Sequence, residues 1–246
     1  MAQIDHSKRQ INCKLVFYGP EGGGKTTSMQ AIRTKAGKRY ITGSHTQEGA
    51  RDPRRLFEYL QLDLGRVDGY QTKLHVYGVL ASDDSPLRRN VLRGADGVVF
   101  VADSDPRATI TNLAARERLE QELRNHGETG IPLVLQWNKR DLADALPVAT
   151  LNELLNPTGA PSFGTVARSG EGVLLALKAV TKLALDRVSS ERRIELAAAV
   201  EIASRQHTVE HELEGAASAP STGPIRRRLG GLVSIFRRRR IATSAA

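Results

Sequence analysis

Cysteine is nearly missing from this chain. Cys13 is the only one in 246 residues, so no internal disulfide and no cysteine-built metal site can form. It stands in the apolar run "INCKLVFYG", where a thiol is expected to be buried and inert. The six histidines show no metal-ligand spacing. No apolar stretch reaches the length that a membrane span requires, and "MAQIDHSKRQ" lacks the apolar segment of a secretory leader. A cytoplasmic protein is therefore expected. Acid is missing from the chain end: residues 216–246 hold seven arginines and no Asp or Glu. Most of the formal charge of +9 belongs to that end, and the rest is nearly neutral. Any inference about anionic partners concerns the end and not the body. What remains, 40% hydrophobic and 26% charged, suits a soluble domain with one sizeable core.

The pattern of the body is an alternation. "INCKLVFYG" reads as a buried strand and "KTTSMQAIRTKAG" as a helix closed by glycine. "LFEYLQLDLGRVDGYQTKLHVYGVL" reads as a hairpin around Asp68 and Gly69. "ADGVVFVAD" is a buried strand, "TITNLAARERLEQELRNHG" a helix, and "IPLVLQWNKRD" a strand followed by a loop. A short helix "ATLNELLN", a short strand "PSFGTVA" and a long apolar helix "GVLLALKAVTKLALDRV" follow. This order predicts an α/β fold: a mostly parallel sheet with one antiparallel edge strand and helices on both faces. Residues 11–188 are expected to form that domain. An alanine-rich charged helix should occupy 189–214, starting near Ser189 or Ser190, and a flexible basic tail 215–246.

"GPEGGGKT", Gly19 to Thr26, follows a strand and opens a helix, which is the context of a phosphate-binding loop. The N–H groups of Glu21, Gly22, Gly23, Gly24, Lys25 and Thr26 can converge on phosphate oxygens, with Thr27 next in the first helical turn. Glycine permits the dihedrals and the close approach. Lys25 would reach the β- and γ-phosphates, and the Thr26 hydroxyl would ligate magnesium. The base is read elsewhere. "NKRD", Asn138 to Asp141, lies more than a hundred residues downstream after a second buried strand. A carboxylate only accepts hydrogen bonds. Guanine offers two adjacent donors to Asp141, and adenine has no such pair, so GTP and GDP are the expected ligands. Asn138 would tie this loop to the phosphate loop, and the Lys139 stem would cover the base. In "TVARSGEG", Val166, Ala167 and Arg168 stand where a backbone N–H could meet the guanine oxygen.

At these residues the chain resembles the bacterial Ras-like small GTPases of the MglA type, a gliding-motility and cell-polarity group. The resemblance spans residues 11 to 187 and rests on "GPEGGGKTT", "LFEYLQLDLG", "GADGVVFVADS", "LQWNKRDL" and "GVLLALKAVTKL". It implies a Ras-like P-loop fold, magnesium-dependent GTP binding, a switch between two nucleotide states and regulation by a roadblock-type partner protein. Both switch regions depart from the family. Where the family has Thr-Val-Pro-Gly-Gln, this chain has Gly78, Val79, Leu80, Ala81 and Ser82. The sensing glycine is Ala81, the water-positioning glutamine is Ser82, and no glutamine lies nearby. In the first switch Thr46 is a distant magnesium-ligand candidate, and Arg54 stands nearest the family threonine. Arg51, Arg54 and Arg55 are the candidates for a catalytic loop arginine. Two readings stay open: a GTPase that is slow or needs a partner, and a GTP-binding scaffold without useful turnover.

The tail "PIRRRLGGLVSIFRRRR" sets Ile225, Leu229, Leu232 and Phe236 on one side at helical spacing, and arginines on the other. A basic amphipathic segment at 225–240 suits an anionic membrane surface or a partner groove, which would put the protein at the inner face of the membrane. The apolar stripe argues against nucleic acid, which would need the charge alone.

Overall fold

The computed structural model describes residues 3–37, 41–48, 55–67, 69–79, 90–127 and 130–190, with the backbone alone for residue 3 and for 41–48 and 55–57. Arg51, Arg54, Ala81, Ser82 and the whole basic tail lie outside the described residues. Residues Met1–Arg192 belong to one compact unit.

The strands are β1 (Gln3–Asp5), β2 (Gln10–Tyr18), β3 (Ile41–Glu48), β4 (Arg55–Val67), β5 (Tyr70–Val79), β6 (Gly97–Asp103), β7 (Leu133–Asn138) and β8 (Ser162–Gly164). The helices are α1 (Lys25–Ala36), α2 (Thr109–Asn125), α3 (Val148–Leu155) and α4 (173–190). Among the described residues the strands form one sheet in the order β3-β4-β5-β2-β6-β7-β8. From β5 to β8 every pairing is parallel. The mostly parallel sheet that the alternation predicts is what forms. Its antiparallel part extends beyond the expected hairpin strand β4. Strand β3 continues it outward against β4, and β1 folds back on the start of β2. Both added strands are mostly polar, and neither shows an apolar alternation, so periodicity does not mark them.

Core packing encloses the strand ends of β2, β6 and β7. Every residue of β6 is buried. Val99 and Val101 face a core shared with α1 and α4, while Val98, Phe100 and Ala102 face one shared with α2 and α3. Gly97 has no side chain because a Cβ there would stand 2.7 Å from Val180 of α4. Helix α4 buries Val173, Ala176, Leu177, Val180 and Ala184 along one stripe, at the spacing of an amphipathic helix. Strand β2 alternates at its start and is buried on both faces at its end, over Leu15 to Tyr18. The ends of β2, β6 and β7 that carry loops of the site are therefore buried.

One expectation is corrected. No new helix starts at Ser189 or Ser190. Helix α4 runs through both, and Ser190 Oγ donates to Asp186 O at 2.8 Å, the bond of a residue inside a helix. Thr46 lies within β3, opposite Glu58 of β4, which pairs with Gly78 of β5 and so with Phe17 of β2.

Candidate nucleotide-binding site

The loop between β2 and α1 packs against β6 through missing side chains. A Cβ on Gly19 would run into the Val101 carbonyl oxygen, and one on Gly23 would come within 2.9 Å of the same atom. Gly24 caps α1 at φ 100°, in the left-handed region, and a Cβ there would overlap Asn138 Nδ2. Glycine is required at 24 by conformation and by space together. No side chain caps α1, and no acid sits in its first turn. The N–H groups of that turn thus keep the partial positive charge that favours an anion. Ser28 N–H makes the first helical bond, to Gly24 O at 2.9 Å. Among the loop donors, Gly23 N–H is turned onto Pro20 O at a long 3.3 Å.

Lys25 is buried, at 7% exposure. Its Nζ donates to Gly19 O at 3.0 Å and to Pro20 O at 2.6 Å. These bonds satisfy a charge that burial alone would make costly, and they aim the ammonium across the loop. Thr26 and Thr27 stand half-exposed in the first turn of α1.

The base loop is built around Asn138, 2% exposed at the end of β7. Its Nδ2 donates to Gly23 O at 2.9 Å. Its Oδ1 accepts from Ala167 N–H at 2.9 Å and from Thr165 Oγ at 3.1 Å. One side chain thus joins the phosphate loop, the base loop and the 165–168 segment. Lys139 follows at φ 64°, left-handed although not glycine, and its Nζ lies 2.5 Å from Asp103 Oδ2. Asp141 keeps its carboxylate about one-third exposed, with Arg168 Nε 3.2 Å from Oδ2.

Supporting residues come from places that the motifs do not mark. Asp103 ends β6 and pairs in register with Asn138. Its backbone is clamped by buried Asn112: Asp103 N–H donates to Asn112 Oδ1 at 3.0 Å, and Asn112 Nδ2 donates to Asp103 O at 2.8 Å. Asp105 N–H donates to its other carboxylate oxygen at 3.0 Å. Behind the site, buried Gln136 donates to buried Ser28 at 2.7 Å, which ties β7 to α1. The signal for Asp103 was available: an acid ends one parallel strand beside the lysine that follows the next. Asn112, Gln136 and Ser28 carry no such signal.

The sequence has a counterpart among known proteins. The chain is 40% identical over 195 residues to the Mutual gliding-motility protein MglA of Myxococcus xanthus (strain DK1622), a match covering 75% of this chain and 96% of that one. The chain belongs to the MglA type of Ras-like small GTPases. Membership makes it a guanine-nucleotide-binding molecular switch. No protein-family model matches the chain. Of the sequence-predicted residues, Gly19 to Thr27, Asn138 to Asp141 and Val166 to Arg168 lie on neighbouring loops joined through Asn138. Arg51 and Arg54 lie outside the described residues, and of Arg55 only the backbone is described, at the start of β4.

Proposed function

We propose that the chain binds GTP and GDP through Gly19 to Thr27, Asn138, Lys139, Asp141 and Val166 to Arg168, with Thr26 as magnesium ligand. The observation that carries this reading is the threefold bonding of Asn138. It holds a carboxylate about one-third exposed and an uncapped helix N-terminus as parts of one site. Asp141 would accept from the ring N–H and the amine of guanine. The first-turn N–H groups and Lys25 would bind the phosphates. Magnesium, when bound, adds positive charge at the phosphates. Binding tests follow directly. The protein should bind GDP and GTP with magnesium, and Lys25→Ala should abolish tight binding. Equal competition by ATP would refute the base assignment.

Hydrolysis is proposed to be slow or to need a partner. The sequence around Ala81 and Ser82 holds no glutamine to position water, and a supplied arginine is worth about 10³ to 10⁵ in rate. Arg51 and Arg54 are the candidates within the chain. The second reading, a scaffold that binds GTP without useful turnover, rests on the same missing glutamine. Single-turnover hydrolysis, with and without a roadblock-type regulator, separates the two. Ala81→Gly with Ser82→Gln should raise the rate if the missing glutamine is the cause of the slowness.

Residues 11–188 would form the switch domain. The 189–214 segment would extend it, and the 215–246 tail would recruit it to an anionic membrane surface at the cytoplasmic face. Each arginine there would contribute about 1 kcal/mol. No helix among the described residues is long and apolar enough to cross a membrane. Deletion of 222–246 should abolish binding to anionic vesicles and leave GTP affinity unchanged. A role in spatial organisation or motility of the cell follows from the relationship to MglA.

A further inference from the structure

Arg168 is the one residue of the base-reading segments whose side chain reaches a proposed base-reading group from outside. It sits in a tight turn. Val166 and Glu171 exchange two backbone bonds, at 3.1 and 3.2 Å, and Gly170 N–H closes on Ala167 O at 3.1 Å. The preceding residue is fixed, since Ala167 N–H is held on Asn138 Oδ1. From this rigid base the Arg168 side chain, 80% exposed, crosses to Asp141 and places Nε 3.2 Å from Oδ2.

The geometry leaves room for the nucleotide. A carboxylate has about four lone-pair directions, and two guanine donors use one on each oxygen. Arg168 stands beside Oδ2 as an ion pair, without a hydrogen bond to it. It therefore takes no lone-pair direction from the base. What it changes is rotation: the terminal torsion of an aspartate is broad and weakly fixed, and a positive charge held beside one oxygen narrows it. A carboxylate free to turn can meet one donor well and the second poorly. A carboxylate held in plane meets both.

We propose that Arg168 is a positioning residue for guanine selection, holding the Asp141 carboxylate so that both of its oxygens face the two donors of the base. The proposal rests on the guanine reading given above and adds to it a role for the side chain of Arg168, beyond its backbone.

The test compares GDP with IDP, whose base has the ring N–H and lacks the exocyclic amine. Dissociation constants are measured with magnesium for the wild type, Arg168→Ala and Arg168→Lys. The exposed position of Arg168 makes both variants safe for folding. The preference for GDP over IDP should fall about fivefold in Arg168→Ala, the upper end for an exposed ion pair, with IDP affinity falling less than GDP affinity. Arg168→Lys should keep most of the preference, since it keeps a positive charge beside Oδ2. In 1 M salt the wild-type preference should move toward that of Arg168→Ala. An equal loss for both nucleotides would show a charge effect on the phosphates and overturn the proposal. So would an unchanged preference in Arg168→Ala. A wild type that bound ADP as well as GDP would instead sink the guanine reading itself.

Discussion

The phosphate loop is held in place by what its residues lack, and the base loop by what distant side chains supply. Gly19, Gly23 and Gly24 let the first loop lie against Val101 and Asn138 with no side chain between. The second loop rests on Asn138, Asp103, Thr165 and Arg168, each from a different turn or strand end. A loop made of backbone fails when an atom is added. A loop made of side chains fails when one is removed. Asn138 belongs to both, because its amide fills the space that Gly24 leaves open.

The largest effect should come from Asn138→Ala, which strikes both loops. It strips Gly23 O, Thr165 Oγ and Ala167 N–H of a buried partner at once. At about 1–3 kcal/mol for each group left unsatisfied, the loss should reach several kcal/mol. Thermal unfolding and nucleotide affinity should both show it. Gly24→Ala should come next, with a loss on the order of a hundredfold in nucleotide affinity from strain and overlap together. The comparison is sharpened by the double variant. If the two loops meet at this contact, Gly24→Ala should cost less in the Asn138→Ala background, where the overlapping amide is gone. Additive losses would separate the loops again.

Asp103→Ala should be milder. It frees Lys139 from its carboxylate and leaves the phosphate loop untouched, so affinity for GDP should fall about tenfold, while pyrophosphate binding stays as it was. A parallel loss of pyrophosphate binding would mean that Asp103 acts on the whole site. Ser28→Ala should be the smallest, at about 1 kcal/mol of stability for one buried bond whose partner is left alone. Pairing it with Gln136→Leu should recover most of that loss, since both polar groups are then gone.

The contrast also explains how much was legible beforehand. Glycine spacing before a lysine is a local pattern, and Gly19 to Thr26 could be read without knowing what packs beneath. The parallel order of β2, β6 and β7 followed from apolar runs that alternate with helices. Asn138 and Asp141 were legible because they are contiguous with a strand end. Asp103 and Asn112 were not named, since their meaning depends on two strands ending side by side. Gln136 and Ser28 stand 108 positions apart, and neither residue type signals a bridge. Strands β1 and β3 were missed because their pairing comes from neighbours and not from an apolar pattern. The helix start at Ser189 was misread for the opposite reason: a serine pair resembles a cap, but α4 has enough buried stripe behind it to continue.

The central claim is that Asp141 reads a guanine base, and exchange of its acceptor for a donor tests it most directly. Asp141→Asn presents an amide N–H where the wild type presents only oxygens. Xanthine carries an oxygen where guanine carries the amine. Equilibrium competition among GDP, XDP and ADP on the wild type and Asp141→Asn should show GDP far ahead in the wild type, by about 10⁴-fold over ADP. In the variant, XDP should overtake GDP, while phosphate contacts stay intact. If the variant keeps its preference for GDP, or the wild type accepts ADP equally, Asp141 does not read the base and the site has been assigned to the wrong loop.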